Sequence, residues 1–301
     1  MRRSFLCAIP IFFVCAGLSL PQPQINRGDR GEPRRKQLLA IGDVRTGFQH
    51  DSVSHALATI EHLGYESGTY DTYIRSDSQL LTKGPILIHD DHGKPTGPRG
   101  INAKNLPTFD AIFFMGSGEG DLTAQQKADL LSFIHEDGKG FVAAHTGDDA
   151  FYTWPEFGEM VGGYFDNHPW GVFDAPVIVE DPAFPAMRAF PLSFTIKDEI
   201  YLHEAPYSRE KLRVLARLDP SKLDLRTTRG GGVHRTDNDF PVAWAKMYGK
   251  GRVFYSTFGH ARETWDNPAI QTMYFEAIKW AMGLTNADVT PRPLPVPSAH
   301  R

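Results

Sequence analysis

Three short apolar runs in the first half of this chain each stop at a polar turn containing glycine, and this pattern constrains the fold most. They are "KQLLAIGD" (36–43), "FDAIFFMG" (109–116) and "GKGFVAAHTG" (138–147). A run of four to eight apolar residues with no alternation suits a strand buried on both faces. Helical patterns lie between the runs. In "DSVSHALATIEHLG" (51–64), Val53, Ala56, Leu57, Ile60 and Leu63 form one apolar stripe. Asp51 or Ser52 can cap that helix, and Gly64 is expected to end it. Tyr65 to Tyr70 then reads as the second strand. Thr123 and Gln126 make a capping box for a helix running to about Glu136. Strand alternating with helix predicts an α/β fold, a doubly wound and mostly parallel sheet of flavodoxin-like type.

The second half is richer in strands, with candidates at 172–180, 194–202, 212–218, 242–247 and 252–257. A last amphipathic helix is expected over 268–282. The segment 76–107 is polar and rich in Gly and Pro, so it reads as a long loop. The α/β domain is expected over 36–284, followed by a Pro-rich tail over 285–301 whose stretch "TPRPLPVPSAHR" (290–301) is expected to be disordered. No internal repeat is apparent.

The first residues carry a different signal. Arg2 and Arg3 precede a mostly apolar stretch from Phe5 to Leu20, with small residues at Ala16, Gly17 and Ser19. That is the composition of a signal peptide over 1–20, followed by a polar linker over 21–35. The expectation is a periplasmic or secreted protein with no membrane attachment after cleavage; the alternative is an uncleaved membrane anchor, which the short, Pro10-interrupted apolar stretch suits less well. Both cysteines, Cys7 and Cys15, fall in the signal. The exported chain therefore has no disulfide, no thiolate ligand and no thiol nucleophile. A net charge of −4 with scattered basic residues argues against nucleic acid as a partner.

In doubly wound sheets, ligands bind beyond the carboxyl ends of the strands. Asp43, the turn 116–121 with Glu119, and the segment 145–149 all fall there. His145 follows an apolar strand directly, so its ring is either a general base at a crevice or a structural histidine bonded to a carbonyl. Thr146 beside it is a turn former or a hydroxyl nucleophile. Asp148 and Asp149 can orient His145, bind a cation or cap the helix near Trp154. His260 also follows a strand end, in "YSTFGH", and His50 follows the first strand. His50, His145 and His260, with Glu199, form a candidate set for a divalent metal, although no close spacing such as His-x-x-x-His supports it. In "GGYFDNHPWG" (162–171), His168 and Trp170 have the character of a sugar-binding pair, or of a plain aromatic loop. In "KDEIYLHE" (197–204), a period of two puts Glu199, Tyr201 and His203 on one face and Ile200 and Leu202 on the other. "IGDVRTG" does not fit the dinucleotide fingerprint, and "GSGEGD" lacks the Lys-Ser/Thr of a phosphate loop.

Taken together, "FDAIFFMGSGEGDLTAQQ", "GKGFVAAHTG", "GGYFDNHP", "DEIY" and "PVAWAKMYGKGRVFYSTFGH", with Gly42-Asp43 and His50, resemble the ThuA-like family of the class I glutamine-amidotransferase-like superfamily. The resemblance runs from about Lys36 to Leu284. In the amidotransferase relatives the elbow triplet is Cys-x-Gly; here it is His145-Thr146-Gly147, so glutaminase chemistry is not expected. The resemblance implies a small carbohydrate as partner, a disaccharide or a sugar oxidised at C3. It implies elimination and hydrolysis of a 3-keto-glycoside with His145 or His260 as base. Tyr201, Arg262 or a metal would stabilise the oxyanion, and Glu199 would orient a histidine or hold the metal. Asp43, His50, Glu119, Thr146, His168, Trp170, Tyr201 and Arg262 are the expected substrate contacts. The rival expectation is a non-catalytic sugar-binding or scaffold module. Oligomeric state is not legible in the sequence.

Overall fold

The computed structural model describes residues 34–86, 90, 92–94 and 104–294. The expected signal peptide, nearly all of the linker, both cysteines and part of the 76–107 loop lie outside these residues. No helix among the described residues is long and apolar enough to cross a membrane.

Eleven strands and five α-helices follow one another along the chain. They are β1 (Lys36–Ile41), α1 (Val53–Ser67), β2 (Tyr70–Arg75), β3 (Ala111–Phe114), α2 (Ala124–His135), β4 (Gly140–Ala144), α3 (Pro155–Val161), β5 (Tyr164–Asn167), β6 (Val172–Val179), β7 (Ser193–Glu199), β8 (Leu202–Glu204), β9 (Arg213–Leu218), β10 (Pro241–Tyr248), β11 (Gly251–Ser256), α4 (Arg262–Asp266) and α5 (Pro268–Ala281). Nine strands form one sheet in the order β2-β1-β3-β4-β11-β10-β9-β6-β7, and β5 pairs with β8 in a small second sheet. The pairings β1 with β2, β1 with β3, β3 with β4 and β4 with β11 are parallel. Beyond β11 every pairing is antiparallel. The sheet is thus a flavodoxin-like parallel half extended by four antiparallel strands.

Alternation along the strands explains the layers. Leu38 and Ala40 of β1 face α1 and α5, in a core with Val53, Ile60, Met273 and Ile278. Leu39 and Ile41 face the other way, into a core with Leu130, Phe133, Phe157 and Met160 of α2 and α3. Both faces of the sheet at β1, β3 and β4 are therefore covered, which is why these strands read as unbroken apolar runs, while the edge strand β2 is largely exposed. Each fully buried Phe or Leu here contributes about 1.5–3 kcal/mol relative to exposure.

Five local expectations are corrected. α1 does not stop at Gly64 but runs to Ser67, and Gly68 caps it at φ 66°. Gly64 lies inside the helix against the Tyr70 ring, where a Cβ would come within 2.2 Å of a ring carbon. The second strand accordingly begins at Tyr70 and not before. Ser52 stands at the N-cap of α1 but makes no side-chain capping bond. The capping box of Thr123 and Gln126 is present, whereas neither Asp148 nor Asp149 caps α3, whose N-cap is Trp154. Finally, "KDEIYLHE" is not one strand: β7 ends at Glu199, and Leu202–Glu204 belongs to the small sheet. Ile200, Tyr201, Leu202 and His203 are all buried, so no solvent face exists there.

The described part of the 76–107 loop is fastened to α2, where Asp129 accepts the Thr82 hydroxyl and the Lys83 amide at 2.9 and 2.8 Å. Past α5 the chain is also held: Arg252 bonds the Thr285 carbonyl at 2.7 Å and Arg213 the Thr290 carbonyl at 3.0 Å. The end of the Pro-rich tail, 295–301, lies outside the described residues.

Candidate metal centre

Four side chains from four chain segments meet beyond the carboxyl ends of the parallel strands. His50 comes from the β1–α1 connection, His145 from the end of β4, Glu199 from the end of β7, and His260 from the segment after β11. One ligand atom from each lies within 4.8 Å of all the others.

His145 is the most constrained. Its backbone is left-handed at φ 45°, a costly conformation for a residue with a Cβ. The neighbourhood compensates from two sides. The Tyr255 hydroxyl lies 2.9 Å from the His145 carbonyl oxygen, and the ring Nδ1 lies 2.7 Å from the Thr257 carbonyl. A carbonyl only accepts, so Nδ1 carries the proton and Nε2 presents a lone pair. That Nε2 lies 3.3 Å from His260 Nδ1 and 3.9 Å from Glu199 Oε2. The ring is fully buried, and burial together with the nearby His50 holds its pKa well below the ordinary histidine value. A ring that presents its Nε2 lone pair in this way can serve as a metal ligand. It is poorly placed for the expected role of base in contact with solvent.

His50 is similar. Burial and the charge of His260 push its pKa down to about 4, despite Glu199 and the Phe48 backbone. Its Nδ1 is buried without a well-formed hydrogen bond, and its Nε2 lies 3.4 Å from the Tyr201 hydroxyl. His260 behaves oppositely. Burial opposes its protonation, but the hydrogen bond from its Nδ1 to Glu199 Oε2 at 2.9 Å and the charges of Glu199 and Asp198 outweigh it, so its pKa is raised. Burial alone would raise Glu199. The bond to His260 and the charges of His260, His168 and His50 hold it below its ordinary value instead. The surroundings of Glu199 and His260 therefore favour positive charge beside the carboxylate.

These features fit a divalent transition metal. The donor set is three imidazoles and one carboxylate, the mixture such ions prefer. Two of the imidazoles, His50 and His145, have pKa values lowered by burial; the tautomer of His145 is fixed by a backbone carbonyl, and the Nδ1 of His50 is buried without a hydrogen-bond partner among the described residues.

The other expected residues divide. His168 is at the rim, with Nδ1 3.3 Å from Glu199 Oε1. Tyr201 lies against the His145 ring at 4.1 Å between centroids. Thr146 is buried beside His145, and its hydroxyl has no partner among the described residues. Asp43 does not face the cluster, because its carboxylate accepts the backbone amides of Arg45 and Ser78 at 3.2 and 2.9 Å. Glu119 turns to Thr153, whose hydroxyl it accepts at 2.6 Å. Trp170 packs on Phe173 and Phe240 and donates its indole N–H to the Asp224 carbonyl, so it is not brought to the cluster. Arg262 is an exposed residue at the start of α4.

One residue, Asp198, and one pairing, Asp148 with His203, escaped sequence reasoning. Asp198 accepts the backbone amides of Glu199, Gly259 and Ala261 at 3.0, 2.8 and 3.2 Å. It ties the segments carrying Glu199 and His260 together. Behind the elbow, Asp148 accepts from His203 Nδ1 at 2.7 Å, and its other oxygen lies 2.8 Å from the Tyr255 hydroxyl, all fully or nearly fully buried. Neither carboxylate is marked by its local sequence, since Asp198 stands between Lys197 and Glu199 and Asp148 between Gly147 and Asp149.

Fold and site define a doubly wound α/β protein with a histidine–carboxylate cluster at the carboxyl ends of its parallel strands. The chain belongs to the ThuA family, described as trehalose utilisation, whose model matches residues 40–281. Among solved structures, a ThuA-like protein of Bacteroides uniformis superposes with a TM-score of 0.61 at 21% identity, covering 84% of this chain and 93% of that one. A ThuA-like protein of Parabacteroides merdae gives 0.59 at 17% identity, covering 86% and 98%. At these identities the likeness is one of fold, and it agrees with the glutamine-amidotransferase-like architecture. A comparison with curated proteins found no significant match.

Proposed function

We propose that this protein is a carbohydrate-acting enzyme whose reaction centre is a divalent transition-metal site held by His50, His145, Glu199 and His260. The observation that carries it is the convergence of these four donors within 4.8 Å. The carbohydrate class is supported by the family description, trehalose utilisation. Thiol glutaminase chemistry is not part of the proposal, because the elbow carries His145 and the only cysteines are Cys7 and Cys15.

The substrate class is a disaccharide or glycoside oxidised at C3, cleaved by elimination and hydration. The 3-keto group acidifies the C2 proton. His168 takes it: its Nδ1 faces Glu199 Oε1, which leaves Nε2 free at the rim. The resulting enediolate re-forms the C3 carbonyl while a C1–C2 double bond forms and the C1–oxygen bond breaks. The proton held by His168 passes to the departing oxygen, and water then adds at C1. A bound metal would supply Lewis acidity toward the developing oxyanion. Tyr201, close to both His145 and His50, borders the same space.

The test is incubation of metal-loaded protein with a 3-keto disaccharide and its unoxidised parent, with and without chelator, followed by mass spectrometry. Monosaccharide release from the keto form alone, lost on chelation and restored by metal, is the expected result. No turnover of either sugar by folded, loaded protein would remove the enzyme assignment and favour a non-catalytic sugar-binding module.

A further inference from the structure

Phe48 is 68% exposed, the most exposed large apolar residue among those described. A lone exposed ring is ordinary on a protein surface. This one differs in where it stands and how firmly it is held. Its ring meets the His50 ring edge-on at 4.7 Å between centroids, so it borders the donor cluster. Its carbonyl accepts the Ser117 hydroxyl at 2.9 Å. The preceding Gly47 lies so close to Ser117 and Gly118 that a Cβ would fall 2.3 Å from the Ser117 hydroxyl oxygen. One residue earlier, the Thr46 hydroxyl accepts the Gly120 amide at 2.7 Å. The segment 46–48 is therefore stitched to the turn after β3, and the ring is carried on a fixed support.

A second group of rings borders the cluster through a different donor. His168, which contacts Glu199, stacks with Phe165 at 5.7 Å and with Tyr201 at 6.0 Å, and Phe165 lies 4.3 Å from Tyr201. These rings are held by β5 and β8, where Phe165 pairs with His203. The cluster is thus flanked by a rigid exposed ring on the His50 side and by an aromatic wall on the Glu199 side.

We infer that Phe48 is the platform of a pyranose-binding subsite beside the donor cluster. This rests on the carbohydrate reading above and specifies how the sugar is held. The axial C–H bonds on one face of a pyranose ring are apolar and carry partial positive charge, and they match the negative face of an aromatic ring. The hydroxyls at the ring edge are then left for polar groups, as small-ligand sites arrange an apolar surface with a few directed polar contacts. An open-chain polyol has the same hydroxyls without a flat apolar face, so the platform selects the cyclic sugar.

The experiment measures sugar binding by calorimetry on metal-loaded wild type, Phe48→Ala and Phe48→Trp, with metal content measured on each sample. The probes are a 3-keto disaccharide, its unoxidised parent and sorbitol. The expected result is binding of the disaccharides weakened about tenfold in Phe48→Ala, retained in Phe48→Trp, with metal content unchanged in both and sorbitol indifferent to the substitution. Equal affinity of wild type and Phe48→Ala for the disaccharides would overturn the platform alone. Loss of metal in Phe48→Ala would also overturn it, by making the ring a support for His50. A wild type that loads metal but binds neither disaccharide would overturn the carbohydrate reading, and the platform with it.

Discussion

The Nδ1 atom of His145 lies 2.7 Å from the carbonyl oxygen of Thr257, and that single bond decides which nitrogen of the ring faces the cluster. Thr257 directly follows β11, the parallel neighbour of the strand that delivers His145. Strand pairing therefore fixes a tautomer, and the tautomer turns the Nε2 lone pair toward the cluster.

His145→Ala should abolish metal binding while keeping the fold. Removing a carbonyl or carboxylate behind a ligand histidine costs roughly 10–100-fold in affinity, and removing the ligand itself should cost more than that. The Thr257 carbonyl would be left buried without its partner, which costs about 1–3 kcal/mol of stability, less than the whole of a typical domain. Metal titration and circular dichroism on the same sample check both halves. Wild-type metal affinity in a folded variant would remove His145 from the ligand set.

Asp198 should act on the site without supplying a donor atom, since it holds only backbone amides, including that of Glu199. Burial pushes its pKa up to about 6, although three backbone amides favour the charged form. In Asp198→Asn one oxygen is replaced by an N–H donor, which would face a backbone N–H. The expected loss is about 1–3 kcal/mol in urea unfolding. Metal affinity should also fall, because the amides of Gly259 and Ala261 flank His260. Reduced stability with unchanged metal affinity would limit Asp198 to a structural role.

Asp149 sets a pH dependence. Burial, with help from the charge of Asp148, raises its pKa to about 6, against the lowering effect of the Tyr152 hydroxyl, which it accepts at 2.9 Å. Unfolded, the same carboxyl titrates near 4. Between these values the folded state holds a proton that the unfolded state has lost. The stabilisation is therefore complete below about pH 4 and is lost as pH rises through about 6. Asp149→Asn cannot titrate, so its stability relative to wild type should increase across that window. The gain is on the order of 1 kcal/mol once solvent screening at this partly exposed group is allowed for. Urea unfolding of both proteins at pH 4.5 and pH 7 reads the difference. An equal offset at both values would show that Asp149 is not the group responsible.

The centre of the parallel half was legible because β1, β3 and β4 are apolar on both faces, a pattern that surface loops do not share, whereas the largely exposed edge strand β2 was placed too early. The meeting of His50, His145 and His260 was legible in outline, since each follows a strand that ends at the same rim. What the sequence hid were relationships at long range. Asp198 looks like any acidic residue near a strand end, and its partners Gly259 and Ala261 lie about sixty residues away. Trp170 has the character of a sugar platform, yet it is consumed by packing on Phe173 and Phe240. The exposed ring at the cluster is Phe48, in a segment with no periodicity to flag it. The break between Glu199 and Leu202 was concealed because the residues on both sides of the chain there are buried, so an alternating pattern had no solvent face to report.

Gly64 shows how a glycine can look like a helix end and be something else. Propensity alone predicts that Gly64→Ala stabilises α1, since alanine is favoured over glycine inside a helix by about 1 kcal/mol. The structure predicts the reverse. A Cβ at position 64 would fall 2.2 and 2.3 Å from two carbons of the Tyr70 ring and 2.8 Å from the Tyr70 carbonyl oxygen. That ring is fully buried, and its hydroxyl donates to the Ile60 carbonyl at 2.9 Å, so it cannot swing aside without losing the bond. Forcing a methyl into such a packed site costs about 1–3 kcal/mol, enough to exceed the propensity gain. Gly64→Ala should therefore lower the thermal midpoint. Tyr70→Phe combined with it should recover little, because the clash is with ring carbons rather than the hydroxyl. A raised midpoint in the single variant would show that β2 can shift away from α1, and that the close approach is not a fixed feature of the fold.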